Sequence, residues 1–276
     1  MSTSVSEFQA RLSASAGSVL SSRTGRWGLS LLGIGILLVT WELAAGVLDV
    51  VPDYVLAAPS EVVVTFLDLQ GLIFENLWPT LTAGLLGFCI AVVLSIVIAV
   101  PLIVFDGLRR ALMPVIVGAN SVPRVTLAPL IIFYIGIGTY SNLLIATWIA
   151  FFPIFINTID GLDSIPEETE NLMTVIGATT WQEFRYVRFF NALPSIFDGM
   201  KVGVSLAMIG AVVGEFVAGQ KGLGFLALFG LRALNLDMVI AVVLLLGLTT
   251  TTLIFVMYLL QDRIVFWQEA SFFATE

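Results

Sequence analysis

Histidine is absent from this 276-residue chain, and cysteine occurs once. Without histidine there is no Ser-His-Asp set, no Cys-His nucleophile and no zinc cluster of the usual kind. A lone cysteine forms no internal disulfide. Cys89 lies in an apolar run and reads as a small packing residue. Charge is also scarce. Only 12% of residues are Asp, Glu, Lys or Arg, against about 25% in soluble domains. No G-x-x-x-x-G-K-[ST] loop is present, so the chain does not cradle nucleotide phosphates in that manner. The pairs Gly33/Gly35, Gly136/Gly138 and Gly222/Gly224 lack a strand-turn-helix context and read as packing, turn or hinge positions. A net charge of −8 argues against a nucleic-acid partner. Nothing in the sequence points to a resident cofactor or metal.

What remains is apolar: 58% of the residues are hydrophobic, with a mean hydropathy of +1.02. The fold class read from this is an all-α integral membrane protein with six transmembrane helices. A helix needs roughly 20 residues to cross the hydrocarbon core. The spans fall at about 27–48, 79–105, 112–135, 142–159, 202–218 and 238–260. Residues 1–26 are Ser-rich and read as a flexible cytoplasmic tail; residues 263–276 form a short second tail, and 27–262 is the transmembrane body. Trp27 and Trp41 suit interfacial positions, and Glu42 falls at the outer end of its span. The loop 49–78 holds Asp49, Asp53, Glu61, Asp68 and Glu75 and no Lys or Arg. Within it, PSEVVVTFLDLQG predicts a surface helix with Ser60 as N-cap. The third span is interrupted by Pro114, Pro123 and Pro129 and contains Arg124.

Basic residues orient such a chain. With six spans, Arg11, Arg23, Arg26, Arg109, Arg110, Arg185, Arg188 and Arg263 share one side, and Lys221 and Arg232 are the basic residues outside. Both termini are then cytoplasmic, and so is the polar stretch 160–201. In that stretch Ser164-Ile165-Pro166 followed by Glu167 and Glu168 reads as a helix start with acids in its first turn. Gly177 ends that helix, and Thr179 or Thr180 caps a second short one. Pro194 leads into the next span. A polar helical insert between apolar spans implies a partner outside the membrane. No internal repeat relates 27–136 to 139–262, and few acids lie within the spans, which disfavours a self-contained secondary transporter or channel.

The pieces APSEVV, NLWPTLTAGLLGF, SVPRVTLAPLIIFYIGIG, FFPIFINTIDGL, GATTWQEFRYV and LPSIFDGMKVGVSLA occur in this order over about 55–262. Together they resemble the type I ABC-importer permeases of the nitrate/sulfonate/taurine/bicarbonate subfamily. The 160–201 stretch is similar to that family's cytoplasmic EAA loop. Aligned on Gly177, however, Asn171-Leu172-Met173 stands where Glu-Ala-Ala would, Val187 takes the Ile position, and Phe189-Phe190 stands where Leu-Pro would, with Leu193-Pro194 following.

The resemblance implies a permease fold in the inner membrane with a cytoplasmic coupling helix and no catalysis of its own, ATP being used by a partner. The implied coupling residues are Pro166, Glu167, Glu168, Glu170, Asn171, Leu172, Met173, Thr174, Gly177 and Ala178. The implied partners are ABC ATPase subunits, a second permease copy, an external solute-binding protein and membrane lipid. Asn120, Arg124 and Glu215 are candidate lining residues of the path, with other readings open: Arg124 snorkelling to the interface or in a structural pairing, and Glu215 paired with Lys221 or forming part of an outer gate. A small oxyanion or sulfonate is the implied solute; a thiamine-precursor pyrimidine or similar neutral molecule is the alternative.

Overall fold

The computed structural model describes residues 23–47 and 56–267. The N-terminal stretch to residue 22, Asp49, Asp53 and the C-terminal residues from 268 lie outside the described residues, as do the side chains of Arg23, Arg26 and Trp27.

Among the described residues the chain is helical throughout. Helix α1 (Arg23–Glu42) ends in a π-helical turn, Leu43–Val47. Helix α2 (Pro59–Asp68) and α3 (Gln70–Val104) follow, then α4 (Asp106–Asn120), a 3-10 turn (Arg124–Leu127) and α5 (Ala128–Ile135). Next come α6 (Thr139–Asp163), α7 (Glu167–Val175) and α8 (Thr180–Glu183), the last continuing through a π-helical turn (Phe184–Arg188) into α9 (Phe189–Ala218). The chain closes with α10 (Leu223–Arg232) and α11 (Leu236–Ile264).

Against six expected spans, four continuous helices among the described residues are long and apolar enough to cross a membrane: α3, α6, the α8–α9 helix and α11. The third expected span is a broken pair, with α4 and the segment Arg124–Ile135 meeting at 87°. The break falls at Ser121-Val122-Pro123, where Pro123 removes a donor and drives the residue before it out of helical geometry. The first expected span is described only in part; its apolar piece is Leu32–Gly46.

Four helices outrun their hydropathic limits. Helix α3 begins at Gln70 rather than 79, α6 runs from Thr139 to Asp163, α9 starts at Phe189 rather than 202, and α11 ends at Ile264. Hydropathy marks apolar chain, whereas a helix continues into water as long as its backbone bonds are made.

Helices α6 and α9 form the centre, with α3 against both. Their seam is built from small residues. Ala83, Ala91, Ala146, Ala150, Ala207 and Ala211 are each at most 1% exposed. On α9, Gly203 and Gly210 meet Ile154 and the Ala146 backbone. Lipid tails are as apolar as leucine, so helix association in a membrane depends on such close backbone approach. Cys89 does not belong to this seam: it is exposed on the outer side of α3, which corrects the packing assignment.

Helix α2 forms where PSEVVVTFLDLQG was read, but Ser60 is not its N-cap. Ala58 holds that place, its N–H donating to Glu61 at 3.2 Å. Ser60 lies inside the first turn and donates its N–H and Oγ to the Glu42 carboxylate at 3.0 and 2.6 Å. An acid at a helix N-terminus satisfies otherwise orphaned donors, and this is the work of Glu42.

Candidate functional site

The insert sits at the end of the bundle where α6 leaves and α9 enters. Pro166 is the N-cap of α7, and Glu167, Glu168 and Glu170 fill its first turn. Proline fixes the entry φ, and the acids face the positive end of the helix. At the far end Gly177 adopts φ +72°. Its N–H bonds to Thr174 O at 3.1 Å, and the Ala178 N–H bonds to Met173 O at 3.0 Å, which is a Schellman closure. Thr179 caps α8, accepting from the Gln182 N–H, while Gln182 Oε1 accepts from the Thr179 N–H at 2.8 Å. Both helix limits were legible from this chemistry.

Arg188 fastens the insert to the bundle. Its Nε donates to Glu183 at 2.6 Å, its Nη2 reaches Glu170 at 3.2 Å, and its Nη1 reaches Leu162 O at 3.4 Å. Asn191 donates to Ser164 O at 2.9 Å. Arg109, in the first turns of α4, donates to Asp163 at 2.9 Å. So an ion pair ties α4 to the end of α6, hydrogen bonds from Arg188 and Asn191 tie the start of α9 to the end of α6, and an ion pair ties α7 to Arg188. The face of α7 turned away from them is bare and largely apolar, with Glu168 beside its apolar residues: Leu172 is 58%, Val175 83% and Ile176 65% exposed.

Arg188→Met removes both ion pairs. The Glu183 pair is mostly buried and the Glu170 pair half-exposed, so the combined loss is about 1–2 kcal/mol. Hydrogen exchange across 167–176 should then accelerate roughly tenfold, with the transmembrane helices unchanged. Unaltered exchange in 167–176 would show that Arg188 does not hold the insert.

The three candidate path residues separate. Asn120 and Arg124 come together across the break after α4, Arg124 Nη2 donating to Asn120 Oδ1 at 2.6 Å. The guanidinium also lies 5.4 Å from the Phe152 ring centroid. This is the structural pairing weighed for Arg124. Glu215 lies elsewhere: its neighbour Gly214 packs on Asn142, ten residues or about 15 Å up α6 from Phe152.

Glu215 is 1% exposed. Thr80 Oγ1 contacts both its carboxylate oxygens, at 2.8 and 3.0 Å, and the Gly224 N–H donates to it at 2.7 Å. Thr80 in turn accepts the Leu223 N–H at 2.8 Å, and Asn76 Oδ1 accepts the Gly222 N–H at 2.9 Å. These bonds hold the first turn of α10 against α3 and α9. Lys221 is not the partner proposed for Glu215; it stands 3.8 Å from Glu75. Thr80 and Asn76 were missed in the sequence because they precede Glu215 by more than 130 residues and no short motif joins them.

The binding-protein-dependent transport system inner membrane component family matches residues 91–268. The chain belongs to this family of ABC importer permeases. It is 38% identical over 236 residues to a riboflavin transport system permease of Chloroflexus aurantiacus, covering 84% of this chain and 87% of that one. A formylaminopyrimidine transport permease of Halalkalibacterium halodurans is 33% identical over 191 residues, covering 69% and 76%. A taurine transport system permease of Escherichia coli is 28% identical over 255 residues, covering 88% and 92%. The solved inward-facing methionine ABC transporter shares the fold, with a TM-score of 0.61 at 22% identity over 72% of this chain and 96% of that one. This permease is therefore a multi-pass inner-membrane protein.

Proposed function

We propose that this permease forms the translocation path for a small solute handed over by an external binding protein, and that α7 is the element an ATPase subunit engages. The observation carrying this reading is the bare apolar face Leu172, Val175 and Ile176 on a helix whose other side is fastened by Arg188. A helix outside the apolar body, pinned on one side and apolar on the other, is complementary to a protein groove. Pro166 through Ala178 make up the docking element. Leu172 and Met173, in place of two alanines, call for a wider groove than a small-residue coupling helix fills. Two ATPase subunits and a second permease copy complete the assembly, the ATPases supplying all ATP chemistry. The termini and the insert face the cytoplasm, consistent with Arg109, Arg185 and Arg188 gathering at the insert end. Asn120 and Arg124 border the path at the break in the third span.

Gly177→Trp tests the docking. Open space surrounds Gly177, so the substitution meets no neighbour within this chain. Its internal cost is the strain of a positive φ, about 1–2 kcal/mol. The assembled transporter should form and hydrolyse ATP while uptake falls at least roughly tenfold, and Glu168→Lys should act in the same direction. Normal assembly together with normal uptake in Gly177→Trp would refute the docking role.

The solute is a small sulfonate-type anion in the main reading. The formylaminopyrimidine relative supports a neutral heterocycle as the second. Uptake competition between taurine and an aminopyrimidine separates them.

A further inference from the structure

At the end of the bundle opposite the insert lies a cavity of about 320 Å³. It is bordered by Pro79 on α3, Gly138, Thr139 and Asn142 at the start of α6, and Gln220 and Lys221 after α9. Its size is at the lower end of ligand pockets, which run from about 300 to 1,000 Å³. Asn142 is 9% exposed, and among the described residues its carboxamide has no hydrogen-bond partner. Its amide atoms are not sealed from solvent, so the carboxamide opens onto the cavity and is available to an occupant. The N-terminus of α6 opens on the same space without a side-chain cap, Gly138 being its N-cap. Lys221 stands at the mouth, 71% exposed and only loosely paired with Glu75. The lining therefore carries one cation, a positive helix end, two carboxamides and a hydroxyl, and no carboxylate.

We infer that this cavity is an entry site for the solute, receiving a sulfonate or carboxylate group between Asn142, Thr139 and Lys221 before passage along the path. The inference rests on the importer reading above and adds to it the place and chemistry of first contact. Glu75 competes with the solute for Lys221, so the rim pair opens on binding.

The test is protection of a cysteine. Ile137→Cys, on an exposed residue of the cavity rim, in a Cys89→Ala background is labelled with an impermeant maleimide in right-side-out vesicles carrying the assembled transporter. Methanesulfonate is the probe and methanesulfonamide its neutral counterpart. Methanesulfonate at ten times its Kd should slow labelling about tenfold, and the sulfonamide should not. Lys221→Gln, on an exposed side chain, should abolish the protection, as should Asn142→Leu in preparations whose melting temperature is retained. Glu75→Gln should strengthen it. Equal protection by both probes, or by neither, overturns the inference. ATP hydrolysis measured in the same vesicles keeps the readings apart. If hydrolysis is present and labelling unprotected, the entry site alone is lost; if no ATPase is bound, the importer reading fails and the inference with it.

Discussion

Replacing Gly222 with alanine is expected to lower stability by about 4 kcal/mol, more than any conservative surface change in this chain. Gly222 has φ +114°, a conformation that costs a residue with a Cβ of order 1–3 kcal/mol. A Cβ there also overlaps the Glu215 carboxyl group. The carboxylate is confined by Thr80 and the Gly224 amide, so displacing it breaks bonds that no water replaces. Each buried polar group so orphaned costs about 1–3 kcal/mol. In detergent, the melting temperature should fall by about 10 °C. Gly136→Ala is the control: φ is also positive, at +95°, but nothing stands within 4 Å. Strain alone should cost it about 1–3 kcal/mol, without the further loss at Glu215. If the two substitutions prove equally mild, the Glu215 cluster does not anchor α10.

The second large effect lies in the central seam. A Cβ on Gly210 would stand 2.7 Å from Ala146 Cα and 3.1 Å from Ala146 N and Ile145 O. These are backbone atoms and cannot rotate away, so Gly210→Leu must push α6 and α9 apart. The separation removes contacts from Ala146, Ala207 and Ala211, all fully buried. Overpacking of this kind costs about 1–3 kcal/mol and occasionally more, and with the seam opened along its length about 3 kcal/mol is expected. Gly247→Leu on α11, where nothing lies within 4 Å, should change stability by no more than about 0.5 kcal/mol. Equal losses for both would mean that the close approach at Gly210 carries no special weight. Thermal unfolding of the purified permease reads both.

Hydropathy located α3, α6, α9 and α11 because each contains a long apolar window, but it misjudged their ends. Asn76 and Thr80 are polar yet helical, as are Asn191, Asp198 and Lys201 at the opposite end. Prolines misled in the same way: Pro79, Pro114 and Pro194, expected at a span start, a break and a span entry, all lie inside helices, while Pro123 sits at the sharp break. The insert was more legible because capping is local. Pro166, three acids and Gly177 define α7 within a dozen residues. Arg188 as the fastening of that insert was not legible, since Glu170 lies eighteen residues before it and Leu162 O twenty-six. The Glu215 cluster was hidden for the same reason at greater distance. Glu42 as the cap of α2 was hidden because its partner, Ser60, belongs to another helix.

Helix α9 spans 30 residues, about 45 Å, from the Arg188 anchorage to the wall of the cavity at Gly219. Gly210, where a Cβ would stand 2.7 Å from Ala146 Cα of α6, divides it unequally. About 32 Å lie on the insert side and about 12 Å beyond. If α9 rocks on that contact, it acts as a lever with a long arm at the insert and a short arm at the cavity. A displacement of α7 would arrive at the cavity reduced between two- and threefold, by about the ratio of the two arms, with the force raised in proportion. Such gearing suits a transporter that must part tightly packed walls by only the width of a small solute.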